Sequence, residues 1–279
     1  YFTVDRGSQS VTSESSYQYL AYEDEGRVQT VQIDNPPINL LTSSLKGELL
    51  DAVQRFEADS DARCLLLRGQ EGGTFSGGRN LNESRSWIES DETEADIEDA
   101  WHRGRELIQE MMTSSKVIVA VVEGAAVGGG AELLLHCDAV FASADAKVGF
   151  PEIKRGLFPG TGGIELLPEL VGTRKALEIL LVGDVYPISE WEEMGVVNQV
   201  CEPSKTYETA REFAEIVSQR PALAVEAIKH AIEAYKKKPK EQAMRRELSL
   251  FKEGFTSPEA EEGVRAFFED REPEFGDRR

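Results

Sequence analysis

Residues 117–122 read Val-Ile-Val-Ala-Val-Val, with no polar residue among them. A strand with one wet face alternates apolar and polar residues; a run without alternation must be covered on both faces. The run passes through Glu123-Gly124 into three consecutive glycines, Gly128-Gly129-Gly130, and then into a helix-prone stretch over 131–136. Buried strand, glycine loop and helix in that order predict an α/β fold on a parallel sheet.

The rest of the chain follows the same logic. Residues 64–67 predict a second buried strand, followed by a Gly-rich loop over 72–78 and a long helix over 92–113. Acidic residues at the start of that helix suit its dipole. Residues 19–22 and 28–33 flank Glu25-Gly26 and predict a hairpin, which Asn35-Pro36-Pro37 ends. Leu45, Leu49, Leu50, Val53 and Phe56 recur at helical spacing within 44–57. A strand over 138–142 and a loop, Pro159-Gly-Thr-Gly-Gly163, lead into a helical run over 164–181. From about residue 203 the pattern is helical, with segments 206–219, 221–237, 239–254 and 257–270. The expected organisation is a core domain over 18–202 and a C-terminal helical subdomain over 203–279. The chain opens on Tyr1 rather than Met, so residues 1–17 are expected to be a disordered or engineered extension. The acidic stretch Asp91–Asp99 reads as a solvated face.

Charge narrows the function. Lys and Arg number 31 against 51 Asp and Glu, a net charge of −20. Nucleic-acid binders need a basic face to neutralise phosphates, and anionic membranes repel such a chain. No apolar run approaches the roughly 20 residues that span a bilayer. Cys64, Cys137 and Cys201 are too few and too scattered for a disulfide framework or a metal site. Cys64 and Cys137 read as small core residues. A reducing, cytoplasmic setting is the expectation.

Two Gly-rich loops each join a strand to a helix: Phe75-Ser-Gly-Gly-Arg-Asn-Leu81 and Gly124-Ala-Ala-Val-Gly-Gly-Gly-Ala-Glu132. Neither has dinucleotide spacing or the Lys-Ser/Thr pair of a phosphate loop. Either could be simple tight packing; either could offer bare backbone N–H groups to a developing oxyanion. Two glutamates weigh on the choice. Glu132 precedes Leu133-Leu134-Leu135, and Glu152 sits between Pro151 and Ile153. A carboxyl group in such apolar company must be paired, protonated or functional, and two near one oxyanion hole could share acid and base work. The plain alternative is a pair of helix N-terminal glutamates favoured by the dipole. His102, His136 and His230 form no metal pattern; His136 is expected to pack beside Cys137 and the others to lie at the surface. No Gly-x-Ser-x-Gly elbow occurs. The basic cluster Lys236–Lys240 reads as a solvated helix end.

The segment Val119–Leu133 with His136-Cys-Asp138 resembles the signature of the enoyl-CoA hydratase/isomerase (crotonase) family. Val148-Gly-Phe-Pro-Glu-Ile153, Gly156–Gly163, Phe75–Leu81, Asn35-Pro-Pro-Ile-Asn-Leu40, Ser257–Gly263 and Ala266–Arg271 resemble further blocks of it in order. The resemblance implies a ClpP/crotonase-like spiral of repeated ββα units with a C-terminal helical region that serves oligomerisation and covers the active site. It implies homotrimers, often paired into homohexamers. It implies an acyl-CoA substrate and no resident cofactor, coenzyme A being part of the thioester. The oxyanion donors would be the N–H groups of Arg79 and Gly129. Gly78, Arg79, Asn80, Leu81, Asn82 and Gly129 would contact the substrate and its CoA portion.

Glu132 and Glu152 fall on the two positions that hydratases of the family fill with glutamate, whereas simple isomerases usually keep only the second. The implied reaction is addition of water across a 2-trans-enoyl-CoA. The first loop departs from the family pattern: Asn82 stands where a lysine often does, and Arg79 or Arg85 would have to supply the phosphate contact. The segment 83–100, with Trp87 and Ile88, would shape the acyl pocket. The rivals are another crotonase reaction, namely isomerisation, C–C cleavage or thioester hydrolysis, and a noncatalytic RNA-binding paralogue. Lys46 and Arg55 against Glu48, Asp51 and Glu57 on helix 44–57 make a poor RNA face.

Overall fold

A computed structural model describes residues 17–88 and 93–275. Six strands form the main sheet: β1 (Leu20–Glu25), β2 (Val28–Ile33), β4 (Cys64–Arg68), β6 (Val117–Val122), β8 (Ala139–Ser143) and β11 (Gln199–Cys201). They lie side by side in that order, and only β1 runs antiparallel to its neighbour. The shorter strands β3 (Leu40–Leu41), β5 (Gly78–Arg79), β7 (Ala125–Val127), β9 (Lys147–Gly149) and β10 (Val185–Pro187) form a second layer. There β3 pairs with β5, β7 with β9 and β9 with β10, and a Ser76–Ala126 bridge links the two groups.

The helices are α1 (Ser43–Ala58), α2 (Leu81–Ile88), α3 (Thr93–Thr113), α4 (Gly129–Leu135), α5 (Gly163–Val171), α6 (Thr173–Val182) and α7 (Ile188–Glu193). Then come α8 (Thr206–Ser218), α9 (Ala222–Lys237), α10 (Lys240–Phe255) and α11 (Pro258–Phe268). Long strand, short strand and helix recur as β2-β3-α1, β4-β5-α2 and β6-β7-α4, which is the repeated ββα unit.

The unbroken apolar runs now have their cause. Leu65, Leu67, Ile118, Ala120 and Val122 face one core with Leu45, Leu49, Phe56 and Phe75. Cys64, Leu66, Val117, Val119 and Val121 face a second, smaller core closed by Ala210 and Ala214 of α8. Both faces of β4 and β6 are covered, so neither can alternate.

The predicted hairpin, the strands at 64 and 117 and the four C-terminal helices form close to their expected limits. One expectation fails. The run 164–181 is not one helix but α5 and α6, because Gly172 takes φ +79 and breaks the ladder between them. The strands β10 and β11 and helix α7, between residues 185 and 201, were not anticipated. Of the expected extension 1–17, only Tyr17 falls within the described residues; its hydroxyl donates to Asp51 at 2.6 Å. Among the described residues no helix is long and apolar enough to cross a membrane.

Candidate active site

The site forms where the loops after β4 and β6 meet. Asn39 ties the first loop down. It is 2 % exposed and holds a left-handed backbone, φ 52, which asparagine tolerates better than most residues. Its amide nitrogen donates to the carbonyl of Thr74 at 2.8 Å and to those of Ile33 and Phe75 at 3.3 Å. Its side-chain oxygen accepts the N–H of Asn35 at 2.9 Å. The hydroxyl of Ser76 donates to the Asn39 carbonyl at 2.7 Å and accepts the N–H of Gly78 at 3.1 Å. The turn after β2 thus fixes the path of residues 74–78.

The second loop docks onto the first. Val127 donates its N–H to the Ser76 carbonyl at 2.9 Å, and Ser76 donates to Ala125 at 3.1 Å. Glycines are needed at the contact. A Cβ on Gly78 (φ +82) would stand 2.5 Å from the Val127 carbonyl oxygen and 3.0 Å from the backbone nitrogen of Gly129. A Cβ on Gly129 would stand 3.7 Å from the backbone nitrogen of Arg79. One on Gly130 would stand 2.4 Å from the Ser76 carbonyl oxygen. The backbone nitrogens of Arg79 and Gly129 are therefore brought to adjacent positions, with the Leu41 side chain beside them. Gly129 opens α4, where first-turn N–H groups have no intrahelical acceptor. Asn80 caps α2, its side chain accepting the N–H of Asn82 at 3.1 Å; Leu81 and Asn82 lie exposed just beyond.

Glu132, one turn into α4, is 4 % exposed. Its Oε1 accepts the N–H groups of Thr161 at 2.7 Å and Gly163 at 3.0 Å, and its Oε2 accepts the Thr161 hydroxyl at 2.7 Å. A carboxylate offers about four acceptor positions, so one remains, on Oε2, for a water molecule.

Glu152 begins the 3-10 turn Pro151–Arg155 after β9. Its Oε1 lies 3.1 Å from where a Cβ on Gly128 would be, beside the start of α4. Its Oε2 is buried and takes no hydrogen bond among the described residues. Burial, and then the nearby charge of Glu132, push its pKa up to about 7, against the pull of its own backbone N–H and of Arg155. One glutamate is thus tethered as an acceptor, while the other is poised to hold and release a proton near neutral pH.

His136 does not simply pack beside Cys137. It sits at the end of α4, one turn after Glu132, and its Nε2 lies 2.8 Å from the Thr161 carbonyl. A carbonyl only accepts, so Nε2 carries the proton. Burial lowers the ring's pKa and keeps it neutral. Gly162, at φ +122, is obligatory beside it: a Cβ there would stand 2.2 Å from Nε2. Glu132 and His136 together grip the loop 161–163 from one helix. Trp101 of α3 adds a bond from its indole nitrogen to the Gly160 carbonyl at 3.0 Å.

Of the residues chosen from the sequence, Gly78, Arg79, Asn80, Leu81, Asn82, Gly129 and Glu132 lie on these two loops or the elements they open, and Glu152 lies on the 3-10 turn after β9. Thr161, His136 and the latch made by Asn39 were missed as site elements. Thr161 carried one signal, a lone hydroxyl residue inside the Gly-rich stretch 159–163. His102 is exposed beside Glu98, and burial pushes the Cys64 thiol up to about 12, which removes it as a nucleophile. The side chains of Trp87 and Ile88, and residues 89–92, lie outside the described residues.

Bare backbone donors beside two carboxyl groups define a class of enzyme that stabilises an oxyanion while moving a proton. The chain belongs to the enoyl-CoA hydratase/isomerase family, whose model matches residues 23–278. It is 35 % identical over 258 residues to a Bacillus subtilis protein named "Probable enoyl-CoA hydratase", covering 89 % of this chain and 95 % of that one. It is 30 % identical to the short-chain-enoyl-CoA hydratase of Clostridium acetobutylicum, over 90 % of this chain and 95 % of the relative. The crystal structure of an enoyl-CoA hydratase from Mycobacterium tuberculosis superposes with a TM-score of 0.82 at 30 % identity, covering 92 % of this chain and 98 % of the other. The fold is the crotonase fold of these relatives.

Proposed function

We propose that this chain is an enoyl-CoA hydratase that adds water across the double bond of a 2-trans-enoyl-CoA. The observation that carries the reading is the contrast between Glu132, held as an acceptor by three hydrogen bonds, and Glu152, whose pKa is pushed up to about 7. The thioester oxygen is held by the N–H groups of Arg79 and Gly129. Glu132 positions a water through its remaining lone pair and takes its proton as the oxygen attacks the β-carbon. The electron pair of the double bond moves to an enolate whose oxygen sits in the oxyanion hole. Glu152 delivers a proton to the α-carbon. Each oxyanion donor contributes about 3 kcal/mol of barrier lowering in acyl-transfer enzymes. Gly78, Asn80, Leu81 and Asn82 line the entrance where the CoA portion lies, and no resident cofactor takes part.

The working form is a homotrimer or homohexamer in the cytoplasm. Supporting this, the C-terminal helices expose large apolar side chains, among them Ile228, Ile232, Leu248, Phe251 and Phe255. A free helical face of that kind needs a partner surface. Residues 203–279 act as the oligomerisation and lid subdomain.

The test is incubation of purified protein with crotonyl-CoA, following loss of the conjugated enoyl absorbance and formation of the 3-hydroxyacyl thioester. A panel of dienoyl-, 3-enoyl- and oxoacyl-CoA thioesters is run beside it. Turnover of a panel member without hydration of any 2-enoyl-CoA would replace this reading by another crotonase reaction.

A further inference from the structure

Lys46 is a cation on the inward side of α1 for which neither the fold nor the proposed chemistry has a use. It is half-buried, and among the described residues no acceptor or carboxylate lies within bonding distance of its ammonium group. The charges of two site residues, Arg79 and Glu132, reach its side chain. Leu41, just before α1, pairs with Arg79 in the second layer, and its Cδ1 lies 3.2 Å from where a Cβ on Gly129 would be. The N–H of Ser43 donates to the Glu83 carboxylate at 3.2 Å, which docks the start of α1 on α2. The charges that act on Lys46 come from four elements around that space: Arg79 on β5, Glu83 on α2, Glu132 on α4 and Arg103 on α3. Burial and the two arginines lower its pKa to about 8 against the two glutamates.

Residues four apart on a helix share a face, so Lys46, Leu50 and Gln54 form one line along α1. Leu50 and Gln54 line an open cleft between α1 and α3 together with His102, Arg105, Gln109 and two carboxylates, Glu106 and Glu110; Lys46 lies outside that lining. Lys46 stands at the N-terminal end of that line, the end that follows Leu41 and its pairing with Arg79. In the reaction proposed above the thioester oxygen is held at Arg79 and Gly129 and the β-carbon at Glu132, and the charges of Arg79 and Glu132 both reach Lys46.

We propose that Lys46 is a specificity residue that binds a carboxylate at the far end of the acyl chain, so that the preferred substrates are 2-enoyl-CoA thioesters of dicarboxylic chains. The inference rests on the hydratase reading above and adds the substrate class. A half-buried ammonium without a partner is costly, and a substrate carboxylate supplies the missing one through a charge-assisted bond. Aliphatic chains give Lys46 nothing and would leave it desolvated.

The experiment compares kcat/KM for hex-2-enoyl-CoA with that for the thioester of the same length whose terminal methyl is a carboxylate. The wild type is expected to favour the carboxylated chain. Lys46→Met should cut turnover of the carboxylated chain on the order of tenfold to a hundredfold, the worth of a bond to a charged group, and leave hexenoyl turnover nearly unchanged. Lys46→Arg should keep most of the preference and guards against loss of fold in the Met variant. The wild-type ratio of the two substrates should fall as pH rises past about 8, while that of Lys46→Arg stays flat. A wild type that hydrates hexenoyl-CoA without favouring the carboxylated chain overturns the inference and leaves the hydratase reading intact. Equal losses on both substrates in Lys46→Met also overturn it, and point to a CoA contact or to support of Glu132. A wild type that hydrates neither overturns the hydratase reading itself.

Discussion

Thr161 meets Glu132 twice, through its N–H to Oε1 at 2.7 Å and through its hydroxyl to Oε2 at 2.7 Å. The second bond sets which lone pair of Oε2 is left for water. Thr161→Val keeps the shape and the N–H bond but deletes the hydroxyl. It should cost about 2 kcal/mol of stability and lower hydration kcat about tenfold, because the carboxylate loses a charge-assisted donor and its orientation. Chemical denaturation and steady-state kinetics on crotonyl-CoA check both numbers.

Replacing either glutamate should stop the reaction without unfolding the chain. Glu132→Gln puts an amide NH2 against donors that need an acceptor, and Glu152→Gln removes the proton source. Each should lower kcat on crotonyl-CoA by two orders of magnitude or more, roughly the 10²–10⁴-fold worth of a general acid or base. Near-normal turnover in either variant would falsify the assignment of roles.

Glu152 also predicts a pH dependence. Its folded pKa is raised from 4.5 to about 7, so between those values the native state binds more protons than the unfolded one. Stability from this group is complete below about 4.5 and is lost as pH rises through about 7. Glu152→Gln should therefore melt higher than wild type at pH 8, with the gap narrowing towards pH 5, about where the unfolded glutamate takes up its proton. The wild-type kcat/KM should fall above about pH 7 as the acid is lost.

Gly78→Ala tests the close approach of the two loops. The added Cβ would meet the Val127 carbonyl at 2.5 Å, on a backbone at φ +82. The loops must move apart, and Arg79 and Gly129 with them. The loss should be about 10²–10³ in kcat, as for deletion of one oxyanion donor, with a lowered melting temperature.

Asn39→Ala removes the amide that ties the turn after β2 to the loop at 74–75 and leaves a residue ill suited to φ 52. The expected cost is about 2–4 kcal/mol in urea unfolding, with several buried carbonyls losing their donor. Hydration should weaken as well, since Ser76 and Gly78 hang from the same turn.

Much of this was legible in the chain. The apolar runs at 64 and 117 announced strands covered on both faces, and the C-terminal periodicity announced helices, because both signals are local. The glycine loops and the two glutamates stood out because glycine marks close backbone approach and a carboxyl group in an apolar stretch needs a reason. The second layer was not legible. Its strands are two or three residues long, too short for any period, and their partners lie far away in the chain. The clamp on Glu132 was hidden for a like reason, since Thr161 and Glu132 are 29 residues apart and meet only when α5 docks on α4.

By itself the sequence determined which segments become strands and helices, where the backbone has to be bare, and which carboxyl groups lie in apolar surroundings. These follow from propensity, periodicity and the cost of burying charge, all properties of short stretches. Only the tertiary structure decided that, among the described residues, Glu132 is held by three donors while Glu152 keeps an oxygen without one, and that Lys46 is half-buried without a bonding partner. Those facts depend on which donors and charges other segments bring within a few ångströms, and that is set by packing rather than by any residue's neighbours in the chain.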